Sequence, residues 1–422
     1  MKFYTKKISS NPDFYYFPFS KKTKDIFLEI NLKTGSAQET AQEAGLGHLL
    51  EHYLIGSLSK NKKSETLEYD GEVFKEQTNY CLKSSKKKIL IDSDYFFNAI
   101  LNPDFSNKKT FISEKDSVLN ELSGKINSSD EQGYKIIFKE RFLNDCQYAR
   151  IKTEEYKNIK DKKIKDIEDY YKKYFIKSNI LITLSGYNLD KKIINEISKS
   201  IKKYNISSGK IKFEQQNCQV SRFKIVSVKN NIIKKDIAVL LTFSFLGSKK
   251  LKPWQKIAQD AVCEMLSSSR MGIFDDLRNA GIYKLDYENF IWKNNGIIIF
   301  ATILPKNKIK AFLNIFVKKI KEIKSGLILS KNLKKILSKY KNTAKKSFND
   351  NSQRLDWLTY DIITYGKIIP IEEDLKNLKK INIVFIKNLA NNLFAKNKLN
   401  LILIGKNLKN INKKEIDKIL KF

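Results

Sequence analysis

The chain contains two histidines, and both fall in the run Gly45-Leu46-Gly47-His48-Leu49-Leu50-Glu51-His52. On a helix, positions 48, 51 and 52 share a face, because residues three and four apart are neighbours. Two imidazoles one turn apart can hold a single metal ion, and the carboxylate between them can reach a water beside it. Zinc suits imidazole and carboxylate ligands in a tetrahedral site. The bland alternative is a pair of core histidines on an amphipathic helix. It would bury two imidazoles and a carboxylate together, which is costly unless they are paired or metallated.

A catalytic zinc needs a third protein ligand and one open position. No histidine remains, so a carboxylate must supply that ligand. Residues 113–121 (SEKDSVLNE) offer Glu114 and Glu121, seven apart and therefore two turns along one helix face. Either can bind the metal while the other stands behind it.

The elements that must carry these residues are legible in outline. Residues 25–32 alternate apolar and polar and predict a half-buried strand ending at Gly35-Ser36. Residues 41–58 predict a helix, with Leu46, Leu49, Leu50, Tyr53 and Leu54 at helical spacing. Strands are predicted at 73–82, 88–91 and 179–184. Helices are predicted at 111–126, with Ile112, Val118, Leu119 and Leu122 on one side, and at 164–175. The chain also repeats itself. Asp236-Ile237 begins a second strand ending at Gly247-Ser248, and residues 167–189 align without gaps on 386–408. An internal duplication of about 210 to 220 residues is the simplest account. It predicts domains at 1–210 and 226–422 joined by a linker at 211–225. In the second copy Asp260, Cys263 and Glu264 fall near the place of the histidine motif, so that half is expected to lack a metal site.

The order His-x-x-Glu-His marks the inverzincins. The sequence resembles the superfamily of pitrilysin, insulin-degrading enzyme and mitochondrial processing peptidase. The resemblance is carried by the strand ending at Gly35-Ser36, by AGLGHLLEH at 44–52, by EKDSVLNE at 114–121 and by YFIKSNILITLSG at 174–186. It implies an α+β fold of two homologous α/β-sandwich domains, each an antiparallel-rich sheet covered by helices, together forming half of a metallopeptidase clamshell. It also implies His48, His52 and Glu121 as ligands of one zinc per chain, Glu51 as general base and Glu114 as a helper carboxylate. Thr78 is implied as a substrate contact, within Lys75-Glu76-Gln77-Thr78, where the family's Asn-Ala-x-Thr run has asparagine in place of Lys75. Arg278 and Tyr283 resemble the family's second-domain substrate-binding pair, though their spacing is short by about two residues. Substrate is expected as an added strand on the sheet edge near 73–82.

Composition bounds the rest. With 422 residues, two or three domains are expected. The content of 41% hydrophobic and 12% aromatic residues excludes wholesale disorder, and 16 Gly with 6 Pro exclude a collagen-like chain. The net charge of +34 comes almost entirely from lysine, since arginine occurs only at positions 141, 150, 222, 270, 278 and 354. Specific nucleic-acid readout leans on arginine and on aromatic-basic motifs, neither of which is evident. The lysines read as a solvated surface that, if it lined a substrate chamber, would favour acidic or neutral peptides. Cys81, Cys146, Cys218 and Cys263 form no CxxC pair and suggest reduced thiols. Residues 1–22 have no apolar core and no run of about 18 apolar residues occurs, so a cytoplasmic protein without a membrane span is expected.

The function so read is a zinc-dependent endopeptidase acting on peptides or small unfolded proteins. Family members enclose substrate between four such domains, so a homodimer, or a heterodimer with a homologous subunit, is expected. Two other readings are a non-catalytic or partner-dependent subunit of a processing peptidase, and a basic nucleic-acid-associated protein with structural histidines.

Overall fold

The structure is a computed structural model that describes residues 6–19, 22–59, 67–143, 146–211, 218–230, 233, 235–247, 251–267, 269–270, 272–327 and 330–422. Residues 212–217 of the expected linker, and Ser248 at the end of the expected strand, lie outside the described residues. The chain divides into two compact units. The first comprises 1–132, 146–216 and 349–363; the second comprises 133–145, 217–348 and 364–422. Each unit therefore takes one short segment from the far side of the 216/217 boundary.

The first unit is built on β1 (Lys6–Ser9), β2 (Asp13–Pro18), β3 (Asp25–Leu32), β4 (Glu68–Val73), β5 (Thr78–Ser85) and β6 (Ile180–Gly186). They form one sheet in the order β1-β2-β6-β3-β5-β4, with β2 and β6 parallel and every other pair antiparallel. Its helices are α1 (Leu46–Ser59), α2 (Ile89–Leu101), α3 (Lys108–Ile126), α4 (Ser129–Arg141, whose residues from 133 on belong to the second unit), α5 (Lys152–Ile159), α6 (Ile164–Tyr174) and α7 (Lys191–Lys202). The sheet in the second unit uses β7 (Lys224–Lys229), β8 (Ile237–Leu246), β9 (Asp286–Ile291), β10 (Asn295–Leu304) and β11 (Leu399–Gly405) in the order β7-β11-β8-β10-β9. There β7 and β11 are parallel and the other pairs antiparallel. Its helices are α8 (Pro253–Leu266), α9 (Phe274–Asn279), α10 (Ile309–Ser325), α11 (Ser330–Asn349), α13 (Ile371–Asn377), α14 (Ile383–Leu393) and α15 (Lys413–Ile419); α12 (Asn351–Tyr365) lies almost wholly in the first unit.

Apart from β1, the two sheets have the same strand order and the same single parallel pair. The helix-strand pair α6–β6 recurs as α14–β11 at the same sequence offset. This is the internal duplication expressed as topology.

The first core explains how the motif helix is oriented. Leu46, Leu49, Leu50, Tyr53, Leu54 and Leu58 of α1 are buried against Leu28, Ile30 and Leu32 of β3 and Ile182 and Leu184 of β6 within one apolar cluster. That stripe leaves positions 48, 51, 52 and 55 on the opposite side. The predicted helix start at 41 is corrected: residues 41–45 form turns, and Gly45 adopts φ +82° immediately before α1. In that left-handed conformation a glycine is unstrained.

Other sequence expectations are also corrected. Residues 88–91 begin α2 rather than a strand, because Ile89 continues into the buried helical stripe Phe96, Phe97, Ile100 and Leu101. Residues 73–82 are not one strand: Val73 ends β4, 74–77 form the hairpin corner, and 78–82 begin β5. Ile112 is 59% exposed, whereas Val118 and Leu122 carry the packing of α3. Among the described residues, Cys81 and Cys263 are free cysteines, and Cys263 is buried.

Candidate active site

Helices α1 and α3 pack together, and each turns acidic or imidazole side chains toward one cavity of about 510 Å³ in the first unit. Nε2 of His48 lies 3.6 Å, and Nε2 of His52 lies 3.4 Å, from the same Oε2 of Glu121. Ligand atoms from His48, His52 and Glu121 all come within 4.8 Å of one another. In tetrahedral zinc, with bonds near 2.0–2.1 Å, ligand atoms stand about 3.4 Å apart. The donor set and its spacing therefore fit a zinc ion. His48 is suited to donate a lone pair, since burial and the neighbouring His52 push its pKa down to about 4 and keep it neutral. Its Nδ1 is buried without a partner among the described residues, so this imidazole lacks the usual hydrogen bond behind a metal-binding histidine.

Glu51 sits 3.9 Å from His52 Nε2 and is 7% exposed. Burial raises its pKa to about 8, and the negative charges of Asp70, Glu121, Glu114 and Glu72 add to the effect. Glu114 places an oxygen 3.8 Å from His52 Nδ1. Burial alone would raise the Glu121 pKa; the Lys125 ammonium one turn along α3 and the two imidazoles outweigh it and hold the pKa below the usual range. The structure thus brings His48, His52, Glu121, Glu51 and Glu114 to one cavity.

The remaining sequence candidates are elsewhere. Thr78 is buried at the start of β5 and its hydroxyl donates to the Thr34 carbonyl at 3.1 Å. Arg278 and Tyr283 are in the second unit; Arg278 stacks over Phe274 and Tyr283 is 76% exposed. Lys75 turns inward, and its Nζ donates to the Arg150 carbonyl at 3.1 Å. Burial lowers its pKa to about 8.

Sequence reasoning missed the wall around these groups. Glu39 accepts hydrogen bonds from the Gly45 and Gly47 amides, both at 2.9 Å, and so caps the start of α1. Arg150 Nη1 approaches it at 3.7 Å and the Tyr170 hydroxyl at 3.4 Å. Burial, reinforced by Glu155, raises its pKa to about 8. No local pattern announces Glu39, because it lies outside α1 and two of its partners, Arg150 and Tyr170, are far along the chain. Lys125 was readable, four residues after Glu121 on the same helix.

The cavity wall carries Glu39, Glu51, Asp70, Glu72, Glu114, Glu121 and Glu155 against two lysines, Lys125 and Lys152. Both lysines are paired, with Glu121 and Glu155. The expectation of a lysine-lined substrate space is corrected at this site: the cavity is acidic. Of the two edge strands of the first sheet, β1 and β4, β4 borders the cavity through Asp70, Gly71, Glu72 and Val73. Residues 78–82, expected at that edge, belong to an internal strand.

A sheet covered by helices thus brings two histidines and a glutamate together beside two further carboxylates, Glu51 and Glu114, an arrangement that could hold a metal ion. Residues 20–145 match the family model Insulinase (Peptidase family M16), so the resemblance to the pitrilysin superfamily holds in sequence over that segment. No curated protein matches the sequence. Solved structures extend the likeness of fold to the entire chain. A protease from Helicobacter pylori is 16% identical with a TM-score of 0.81, covering 96% of this chain and 99% of that one. The first half of the periplasmic protease PqqL from Escherichia coli is 13% identical with a TM-score of 0.79, covering 100% and 96%. A peptidase M16 inactive domain from Pseudomonas fluorescens is 14% identical with a TM-score of 0.79, covering 97% and 98%. At these identities the likenesses establish the fold. Among the described residues, no helix is long and apolar enough to cross a membrane.

Proposed function

We propose that the chain is a zinc-dependent endopeptidase that hydrolyses peptides or small unfolded proteins. The observation that carries this reading is the convergence of His48, His52 and Glu121 with Glu51 beside them. His48, His52 and Glu121 would hold one zinc. Bound there, the ion would supply Lewis acidity toward a scissile carbonyl and lower the pKa of water toward about 7. Glu51 is set to take a proton from the attacking water and hand it to the leaving nitrogen. Its burial among other carboxylates favours proton uptake, which is the property the first half of that task needs. Lys125 holds one oxygen of Glu121, leaving the other directed at the two imidazoles. Glu114 steadies His52 from the Nδ1 side. An extended peptide would pair with the free edge of β4 and pass along the cavity. Thr78 supports that edge from within, and we keep Arg278 and Tyr283 as candidate substrate contacts supplied by the second homologous half. The halves are taken as 1–210 and 226–422, joined at 211–225.

We further propose assembly as a dimer, with itself or with a homologous subunit. The second reading is a partner-dependent subunit; it is favoured by one observation, that Lys75 is committed to the Arg150 carbonyl rather than available to substrate. The cytoplasm is the location expected from the sequence, and cell fractionation tests it. The functional test is hydrolysis of an unstructured peptide library by purified protein, with and without chelator. Chelator-sensitive cleavage supports the endopeptidase, and absence of cleavage by zinc-loaded protein overturns it.

A further inference from the structure

Two carboxylates of the site occupy space that exists only because glycines face them. A Cβ at Gly71, in the middle of edge strand β4, would stand 2.8 Å from Glu51 Cγ and 2.9 Å from its Cδ, and closer still to Oε1. A Cβ at Gly56, buried on the side of α1 that faces α3, would stand 2.5 Å from both Cδ and Oε1 of Glu114. Carbon atoms attract best at about 3.5–4.0 Å and repel well inside that range. In each case three consecutive atoms of the carboxylate side chain are in conflict, so rotating the terminal group alone gives no relief.

We infer that Gly71 and Gly56 are positioning residues that seat the Glu51 and Glu114 carboxylates beside the metal-ligand triad. The inference rests on the endopeptidase reading for its catalytic meaning, but its steric content stands apart from it. Asp70 and Glu72 flank Gly71 on β4, and with Glu114 and Glu121 they surround the Glu51 carboxylate with like charge. A methyl group at position 71 must therefore drive Glu51 out of line with His52. The edge strand that would receive substrate thereby also fixes the general base. Displacing a reacting group by about 1 Å can cost about 100-fold in rate. Gly124 of α3 is the contrasting case, since a Cβ there meets nothing within 4 Å.

The test is a double-mutant cycle read in two ways. In metal-free protein, Gly71→Ala should lower the Tm when Glu51 is present. In a Glu51→Ala background it should leave the Tm unchanged or raise it, because alanine then only lowers the conformational entropy of the unfolded chain relative to glycine. Gly56→Ala should behave likewise toward Glu114→Ala. In zinc-loaded protein, Gly71→Ala should lower kcat about 100-fold, with KM within about twofold and zinc content unchanged, while Gly124→Ala leaves kcat alone. Equal Tm changes in both backgrounds, or full kcat in Gly71→Ala, overturns the inference. A wild-type protein without hydrolysis would remove the endopeptidase reading, and the Tm cycle would still decide whether the glycines seat these carboxylates.

Discussion

At the residue scale, five side chains with distinct tasks meet within one cavity. Glu51→Gln keeps size and shape but cannot take a proton. It should retain one zinc per chain by elemental analysis and lose peptide hydrolysis by about a thousandfold, at the upper side of what general acid–base catalysis contributes. Hydrolysis within tenfold of wild type would remove Glu51 from its role. Glu121→Gln should instead weaken zinc itself, measured by competition with a chromogenic chelator, because a charged ligand is replaced by a neutral amide. Both histidines were legible from spacing alone, and the need for a carboxylate ligand followed from their scarcity. Glu39, Asp70 and Glu155 were not legible, since each reaches the cavity from a separate element and no local periodicity links them. The lysine count misled for the same reason: it reports the whole surface, whereas the cavity wall is a local selection of carboxylates.

At the scale of elements, α1 is held by its apolar stripe and by the buried Glu39 at its start. Glu39→Ala would leave the Gly45 and Gly47 amides without an acceptor and remove the carboxylate facing Arg150, which keeps its hydrogen bonds to the Ser36 and Glu39 carbonyls. It should destabilise the protein by about 2–6 kcal/mol, from two unsatisfied buried donors at about 1–3 kcal/mol each. Urea titration checks this; a loss below about 0.5 kcal/mol would contradict it.

The same carboxylates set a pH dependence. Glu39 and Glu51 have folded-state pKa values raised to about 8, from 4.5. Between pH 6.5 and 8 the unfolded chain has released both protons while the folded chain retains them. Stability therefore falls as pH rises through that window, by up to about 1 kcal/mol per pH unit for each group. His48, with its pKa lowered to about 4, contributes the opposite slope only below pH 6.5. Thermal melts in chelator should show a falling Tm from pH 6.5 to 8, and a rising Tm would contradict the assignment. Strands and helices with long periodic patterns were legible in the sequence. The start of α2 was not, because Ile89-Leu90-Ile91 is a short apolar run that either period accommodates. The corner between β4 and β5 was hidden because 74–77 carry no glycine or proline to mark the turn.

At the scale of the whole molecule, duplication gives two sheets of one topology, and among the described residues only the first unit carries a group of side chains that could hold a metal. In the second, the corresponding helix α8 presents Asp260, bonded to Asn289 at 2.6 Å, and buried Cys263. The duplication was legible as a matching offset. The exchange of 133–145 and 349–363 between units was not, because local sequence does not say which core a helix joins. An acidic cavity in a chain of net charge +34 has a direct consequence for substrate choice. Peptides carrying Lys or Arg near the cleaved bond should show kcat/KM about tenfold above Asp- or Glu-bearing counterparts, and the difference should shrink with added salt. A preference for the acidic peptides would contradict the role given to the cavity wall. Light scattering of active protein should give the mass of a dimer.

The most direct measurement strips the protein with chelator and restores zinc stepwise, following bound metal and peptide hydrolysis in the same samples. Hydrolysis is expected to return in proportion to zinc and to saturate at one ion per chain, with no return in His48→Ala. Hydrolysis that persists without metal, or zinc that binds undiminished in His48→Ala, would contradict a catalytic zinc at His48, His52 and Glu121.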